Sequence, residues 1–213
     1  MHPKKDSFSI VIIGAWNPTI FSPEWVSKYL SENGECDVSV AFPISDPTAP
    51  RKISFEEVHL YPGRKQLMIS PEQPNLAGMQ KCSTIIRKIL ENLQHTPVSS
   101  VGINYAFTEN NVTGQIEDAL MPSDTAKILE SRQVRQTNVT RVLSSEGDNY
   151  ILNFTLARDI EGYIVAFNYH YDLNDSLLYK DLFGSNIVEE HFDSAIKLSN
   201  ALYGIELDGD EED

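Results

Sequence analysis

Cysteine is scarce in this 213-residue chain: Cys36 and Cys82 are the only two, and they form no C-x-x-C pair. Two isolated thiols, one of them on an amphipathic helical pattern, exclude a disulfide scaffold and a cysteine-rich metal centre. They fit a reduced, cytoplasmic setting. Positive charge is also short. Seventeen Lys and Arg stand against 31 Asp and Glu, a formal net charge of −14. The clustered cations that neutralise phosphates are therefore missing, and direct nucleic-acid binding is not expected. No apolar run is long enough to cross a bilayer, which takes roughly 20 residues. The longest, Phe8 to Trp16, follows Lys4 and Lys5 as a signal peptide would, but it runs into Asn17-Pro18 without a small-residue cleavage site and reads as a first strand. No membrane partner is expected.

The familiar catalytic signatures are missing too. Gly14 stands alone after the first strand, with no G-x-G-x-x-G or P-loop around it. There is no G-x-S-x-G elbow, no H-E-x-x-H and no Cys/His ligand set. No cofactor or metal is expected on these grounds. Four Asn-x-Ser/Thr sequons, at Asn111, Asn138, Asn153 and Asn174, read as chance occurrences in a chain without a secretion signal.

What is present is a core and a clear order of elements. Apolar residues make up 41% of the chain, enough for one large domain or two closely packed halves. After the strand at Ser7–Trp16, Ser22-Pro23-Glu24 gives a helix start with a capping hydroxyl, a proline at the first helical position and an acid at the positive dipole end. Asp37–Phe42 alternates as a strand. So does Lys52–Tyr61, with a change of parity at Glu56-Glu57 that suggests a bulge. Lys65–Ile69 is a further strand. Asn75 can cap a helix whose Leu76, Met79, Cys82, Ile86, Ile89, Leu90 and Leu93 recur at three- and four-residue intervals, and Pro97 ends it.

Val98–Phe107 then opens a second pass. Short helices are expected at Gln115–Leu120 and Asp124–Ser131, strands at Val134–Leu143, Tyr150–Arg158 and Tyr163–Leu173, and a last helix capped from Ser185 or Asn186, where Asn186 to Glu189 has capping-box spacing. The fold class is α+β: a mostly antiparallel curved sheet with two long amphipathic helices packed on one face. Its halves, 1–96 and 97–204, share a β-α-β-β-β-α order and pack as one unit. Residues 205–213 carry six acids in the last eight positions and read as a disordered acidic tail.

This repeated order resembles the pseudo-duplicated fold of the TATA-binding protein, a curved antiparallel sheet with helices on its convex face; the likeness is one of topology. Trp16–Trp25, His95–Asn104 and Phe167–His170 also resemble a sporadically distributed bacterial family of unknown function. That second resemblance implies no activity and transfers no site.

Two groups of residues are candidate sites. Asn168, His170 and Asp172 alternate along one strand and share a face, opposite Phe167, Tyr169 and Tyr171. Asn104, at the same parity as Gly102 and Ala106 in the Val98–Phe107 strand, joins them if the two strands share a sheet. A histidine beside amide and carboxylate groups suits a general base, one metal ligand or a peptide-recognising face; the plain alternative is a solvated sheet face. Trp16, Phe21 and Trp25 cluster at the first strand-helix connection and suit either an interface anchor or core packing.

The function expected from this pattern is a non-enzymatic protein-interaction module that self-associates, as a homo-oligomer, and binds a protein partner. One alternative is a small-ligand-binding protein or enzyme using the face around Asn104, Asn168, His170 and Asp172. A weaker one is an acidic mimic of nucleic acid.

Overall fold

The structure, a computed structural model, describes residues 1–44, 46, 49–110, 114–121, 125–159, 162–173, 182–184 and 186–208. Ten strands build one open antiparallel sheet: β1 (His2–Pro3), β2 (Ser9–Gly14), β3 (Ser39–Ala41), β4 (Lys52–Phe55), β5 (Val58–Pro62), β6 (Gln66–Pro71), β7 (Val98–Glu109), β8 (Thr137–Leu143), β9 (Ile151–Asp159) and β10 (Gly162–Asp172). Among the described residues five α-helices accompany them, α1 (Pro23–Leu30), α2 (Leu76–Asn92), α3 (Gly114–Leu120), α4 (Thr125–Leu129) and α5 (Ile187–Tyr203), with a 3-10 turn at Pro18–Ile20.

Edge to edge the strands run β3-β4-β5-β6-β2-β7-β10-β9-β8, while β1 pairs with β7 at Phe107 and Thr108, past the end of β2. The order is symmetrical about the β2–β7 pair. Each of these two strands precedes the first helix of its pass, and each is flanked by the later strands of its own pass. The passes differ in detail: the first begins with the extra strand β1, has one α-helix where the second has α3 and α4, and has four strands after α1 where the second has three after α4.

Alternation explains which face is covered. Ile10 and Ile12 of β2, Leu67 and Ile69 of β6, Val101, Ile103, Tyr105 and Phe107 of β7, and Val165, Phe167, Tyr169 and Tyr171 of β10 are all buried at period two. Against them lie Met79, Cys82, Ile86 and Ile89 of α2 and Val188, Phe192 and Ala195 of α5. Phe8, Tyr105, Phe107 and Phe192 form edge-to-face and tilted ring pairs at centroid distances of 5.1–6.1 Å. Such pairs add to the burial term by about 0.5–1.5 kcal/mol each.

Helix ends follow the sequence closely. Ser22 Oγ accepts from Trp25 N at 3.2 Å, Asn75 Oδ1 accepts from Gly78 N at 2.8 Å, and Gly204 takes the left-handed position (φ 65°) that stops α5. Asn186, in contrast, makes no side-chain cap bond, so its capping-box spacing goes unused. The lysine Lys88 of α2 donates to the carbonyls of Leu30 and Ser31 at 2.9 and 2.8 Å, satisfying the end of α1.

At Lys52–Tyr61 the structure differs from the single bulged strand expected there. Glu56 and Glu57 both adopt positive φ, 43° and 63°, and Phe55 faces Val58, so β4 and β5 form a tight hairpin across a two-residue turn. Such turns favour Asn-Gly or Asp-Gly, and a Glu-Glu pair gives no such signal. In the C-terminal stretch, Ile205 is buried, Asp208 N donates to Met1 O at 3.1 Å, and the Met1 ammonium meets Glu109 at 3.0 Å and Asp208 at 3.1 Å. The remainder of the stretch read as a tail, 209–213, lies outside the described residues, as do parts of the connections at 111–113 and 174–181.

Candidate functional site

The sheet face opposite the helices is the candidate site. Its residues are the other half of each alternation: Ser54, His59, Tyr61, Met68, Ser70, Ser9, Val11, Gly102, Asn104, Ala106, Ile164, Ala166, Asn168, His170, Asn153, Thr155, Thr140 and Val142. The strand register places them in rows.

One row is a hydrogen-bonded ladder. Asn153 faces Asn168, Asn168 faces Asn104, and Asn104 faces Ser9 across four neighbouring strands. Asn153 Nδ2 donates to Asn168 Oδ1 at 2.9 Å, Asn168 Nδ2 donates to Asn104 Oδ1 at 2.7 Å, and Asn104 Nδ2 donates to Ser9 Oγ at 3.2 Å. An amide offers two donors and two acceptor lone pairs, so a ladder that uses one donor and one acceptor of Asn168 leaves further capacity. Gly102 keeps the centre low: a methyl group there would sit 2.9 Å from Asn168 Nδ2.

The four sheet residues singled out from sequence thus fall into two pairs. Asn104 and Asn168 meet directly. His170 Nε2 lies 3.2 Å from Asp172 Oδ1, a contact along one strand between side chains 35% and 67% exposed, and no hydrogen bond among the described residues ties it to the ladder. Ser9 and Asn153 complete the ladder but are invisible as partners in sequence. Their parity is legible, whereas the order β9-β10-β7-β2 that aligns them is not.

Trp16 and Phe21 are 5% and 0% exposed. Trp16 Nε1 donates to Ile12 O at 3.2 Å, and Phe21 packs edge-on to Trp25 at 5.3 Å. These two are core residues. Of the three aromatics, Trp25 alone keeps appreciable surface, beside the exposed Tyr29. Arg51 donates to the carbonyls of Pro18 and Phe21 at 2.8 and 3.0 Å and fixes the turn that carries this motif.

Charge separates the open face from the rest of the surface. Among residues whose side chains the structure describes, Lys52 and Asp172 are the only permanently charged ones that alternation places there. Of the exposed acids in the neighbouring turns, Asp6 and Glu72 act on His59 of this face, whereas Glu57 pairs with Lys81 of α2 at 3.4 Å and Asp148 acts on the buried His191, both on the helix side. His59 sits between Ser54 and Ser70, and burial, assisted by the nearby Lys52, lowers its pKa below the usual histidine value. No three His, Cys, Asp or Glu side chains come together as a metal-binding group among the described residues.

One histidine that the sequence left isolated is deeply built in. His191 of α5 is 3% exposed, bonds through Nε2 to the Tyr171 hydroxyl, stacks on Tyr169 at 3.8 Å and 9°, and meets the Tyr150 ring edge-on at 4.8 Å. Desolvation pushes its pKa down to about 4, partly opposed by Asp148, so the ring is neutral near pH 7. It fastens α5 to β10 on the covered side, away from the open face.

Comparison of the chain with known protein families and with curated protein sequences finds no match.

Proposed function

We propose that this protein is a non-enzymatic interaction module, and that its open sheet face docks a protein partner with an uncharged centre and a basic periphery. The observation behind this reading is the near absence of charge on a broad, half-buried sheet face, uncovered by any described helix, of a chain with net charge −14. A face that serves only to meet water is the natural place for some of 48 charged side chains. Interface centres, in contrast, are depleted of charge and surrounded by a polar rim. Val11, Met68, Tyr61 and Ile164 supply apolar area, the amide ladder supplies directional bonds, and Asp6 and Glu72, beside His59, supply negative charge at the margin.

The symmetrical strand order about β2 and β7 supports the resemblance to the TATA-binding-protein-like fold and the division into halves at residues 96 and 97. Nucleic acid is not the proposed partner. A face whose one permanent cation among the described residues is Lys52, on a chain of net charge −14, opposes phosphate. We assign the protein to the cytoplasm, where two reduced thiols are stable, and self-association forms part of the same reading. No helix among the described residues is long and apolar enough to cross a membrane.

The test is capture from native extract followed by reconstitution with the purified partner. The partner is expected to bind the wild-type chain, to lose at least about tenfold in affinity, some 1.4 kcal/mol, to Val11→Lys or Met68→Lys, and to bind more slowly as salt rises, since the net charge of −14 steers a basic partner. Binding that ignores both substitutions would sink the proposal.

A further inference from the structure

The two ends of the sheet are not alike. At one end β3 covers β4, and β3 itself is only three residues long. At the other end β8 has seven residues and pairs with β9 alone among the described residues, in an unbroken register from Thr137–Arg158 to Leu143–Leu152. The second pass has no described counterpart of β3.

Proteins blunt exposed strand edges with shortness, lysine, proline, bulges or a covering element. The short β3, followed by Pro43, fits that pattern. β8 has one further device of this kind, the inward-turned charge of Arg141; otherwise it contains no Lys or Pro, keeps regular register and is rich in β-branched residues, Thr137, Val139, Thr140 and Val142. Asn138, Thr140, Arg141 and Val142 are exposed, Val142 at 68%.

We infer that β8 is the self-association edge, pairing antiparallel with β8 of a second copy about a two-fold axis at Thr140. This rests on the self-association part of the reading above. In that register Thr140 faces Thr140 of the second copy, Val139 faces Arg141, Asn138 faces Val142 and Thr137 faces Leu143. The strand's single charge never meets itself. Arg141 also donates to the Tyr203 hydroxyl at 3.4 Å, which turns it to the helix side of the sheet.

The flanks add complementarity. Arg132 and Arg135 precede the strand, and Glu146 and Asp148 follow it. Antiparallel pairing brings the basic flank of each copy alongside the acidic flank of the other, twice over. In a chain of net charge −14 this is a region where two copies approach with opposite charges matched. A two-fold axis through an edge pair runs perpendicular to the sheet, so both open faces lie on one side as a single surface of doubled width. With one such edge per copy among the described residues, assembly closes at two.

Light scattering with size-exclusion chromatography at tens of micromolar tests the inference. The wild-type chain should run at twice 24.0 kDa. Thr140→Lys and Thr140→Asp each place like charges directly opposite across the two-fold, and each should run as a folded monomer by circular dichroism. An equimolar mixture of the two should return to the dimer mass, because the opposed charges then attract. A monomeric wild type, variants that remain dimeric, or a mixture that fails to re-form the dimer would each overturn edge pairing. If the Thr140 variants stay dimeric while Val11→Lys disperses the dimer, self-association survives and its location moves to the open face.

Discussion

The two faces of the sheet use the same strands and the same alternation, yet they are built from different chemistry. On the helix side, β7 and β10 present Val101, Ile103, Tyr105, Phe107, Val165, Phe167, Tyr169 and Tyr171, all buried. One residue away along the same backbone lie Gly102, Asn104, Ala106, Ala166, Asn168 and His170. The first face is filled by volume and holds the fold together. The second is kept low, neutral and hydrogen-bonded, which does little for folding and leaves a surface ready to be covered. A packed face and an open face are thus divided between odd and even positions of the same strands.

Substitutions on the two faces should separate these roles. The largest effect is expected from Phe107→Ala, which empties a fully buried site against Phe8, Phe167 and Phe192; chemical denaturation should register a loss of about 3–5 kcal/mol. Next is His191. Its folded pKa of about 4 lies below the ordinary 6.5, so the unfolded chain binds the proton more readily. The stability due to this group is complete above about pH 6.5 and is lost as pH falls toward 4, by up to about 3 kcal/mol. Urea midpoints across that range should fall for the wild type and slope less for His191→Phe.

On the open face the expected effects on folding are smaller. Asn168→Ala leaves Asn153 Nδ2 and Asn104 Oδ1 without their ladder partner in a half-buried row, a loss of about 1–2 kcal/mol by the same denaturation measurement. His170→Ala removes only an exposed contact to Asp172 and should change stability by less than about 0.5 kcal/mol. If His170→Ala were as damaging as Phe107→Ala, the division between the faces would not stand.

Much of this division was readable before any coordinates. Period two in Val101-Gly102-Ile103-Asn104-Tyr105 and in Phe167-Asn168-Tyr169-His170-Tyr171 assigns every side chain to a face, and the caps at Ser22 and Asn75 fix helix starts locally. What sequence did not carry was long-range. The ladder depends on β2, β7, β10 and β9 being neighbours, and nothing in Ser9 or Asn153 announces that. The hairpin at Glu56-Glu57 was hidden because its left-handed residues lack the Asn or Gly that normally marks such a turn. His191 looked solitary because its three tyrosines, Tyr150, Tyr169 and Tyr171, come from other strands and connections. The aromatics at Trp16 and Phe21 are core because β2 and α1 close over them, a packing outcome that residue type alone leaves open.

Oxidative footprinting of side chains, on the isolated chain and on its complex with the captured partner, tests the central claim most directly. Met68 and Tyr61 report on the open face, and the exposed Met121 and Tyr29 report on surfaces elsewhere. If the open face is where the partner docks, oxidation of Met68 and Tyr61 falls in the complex while Met121 and Tyr29 react as before. Unchanged oxidation of Met68 and Tyr61 alongside protection of Met121 or Tyr29 would contradict it.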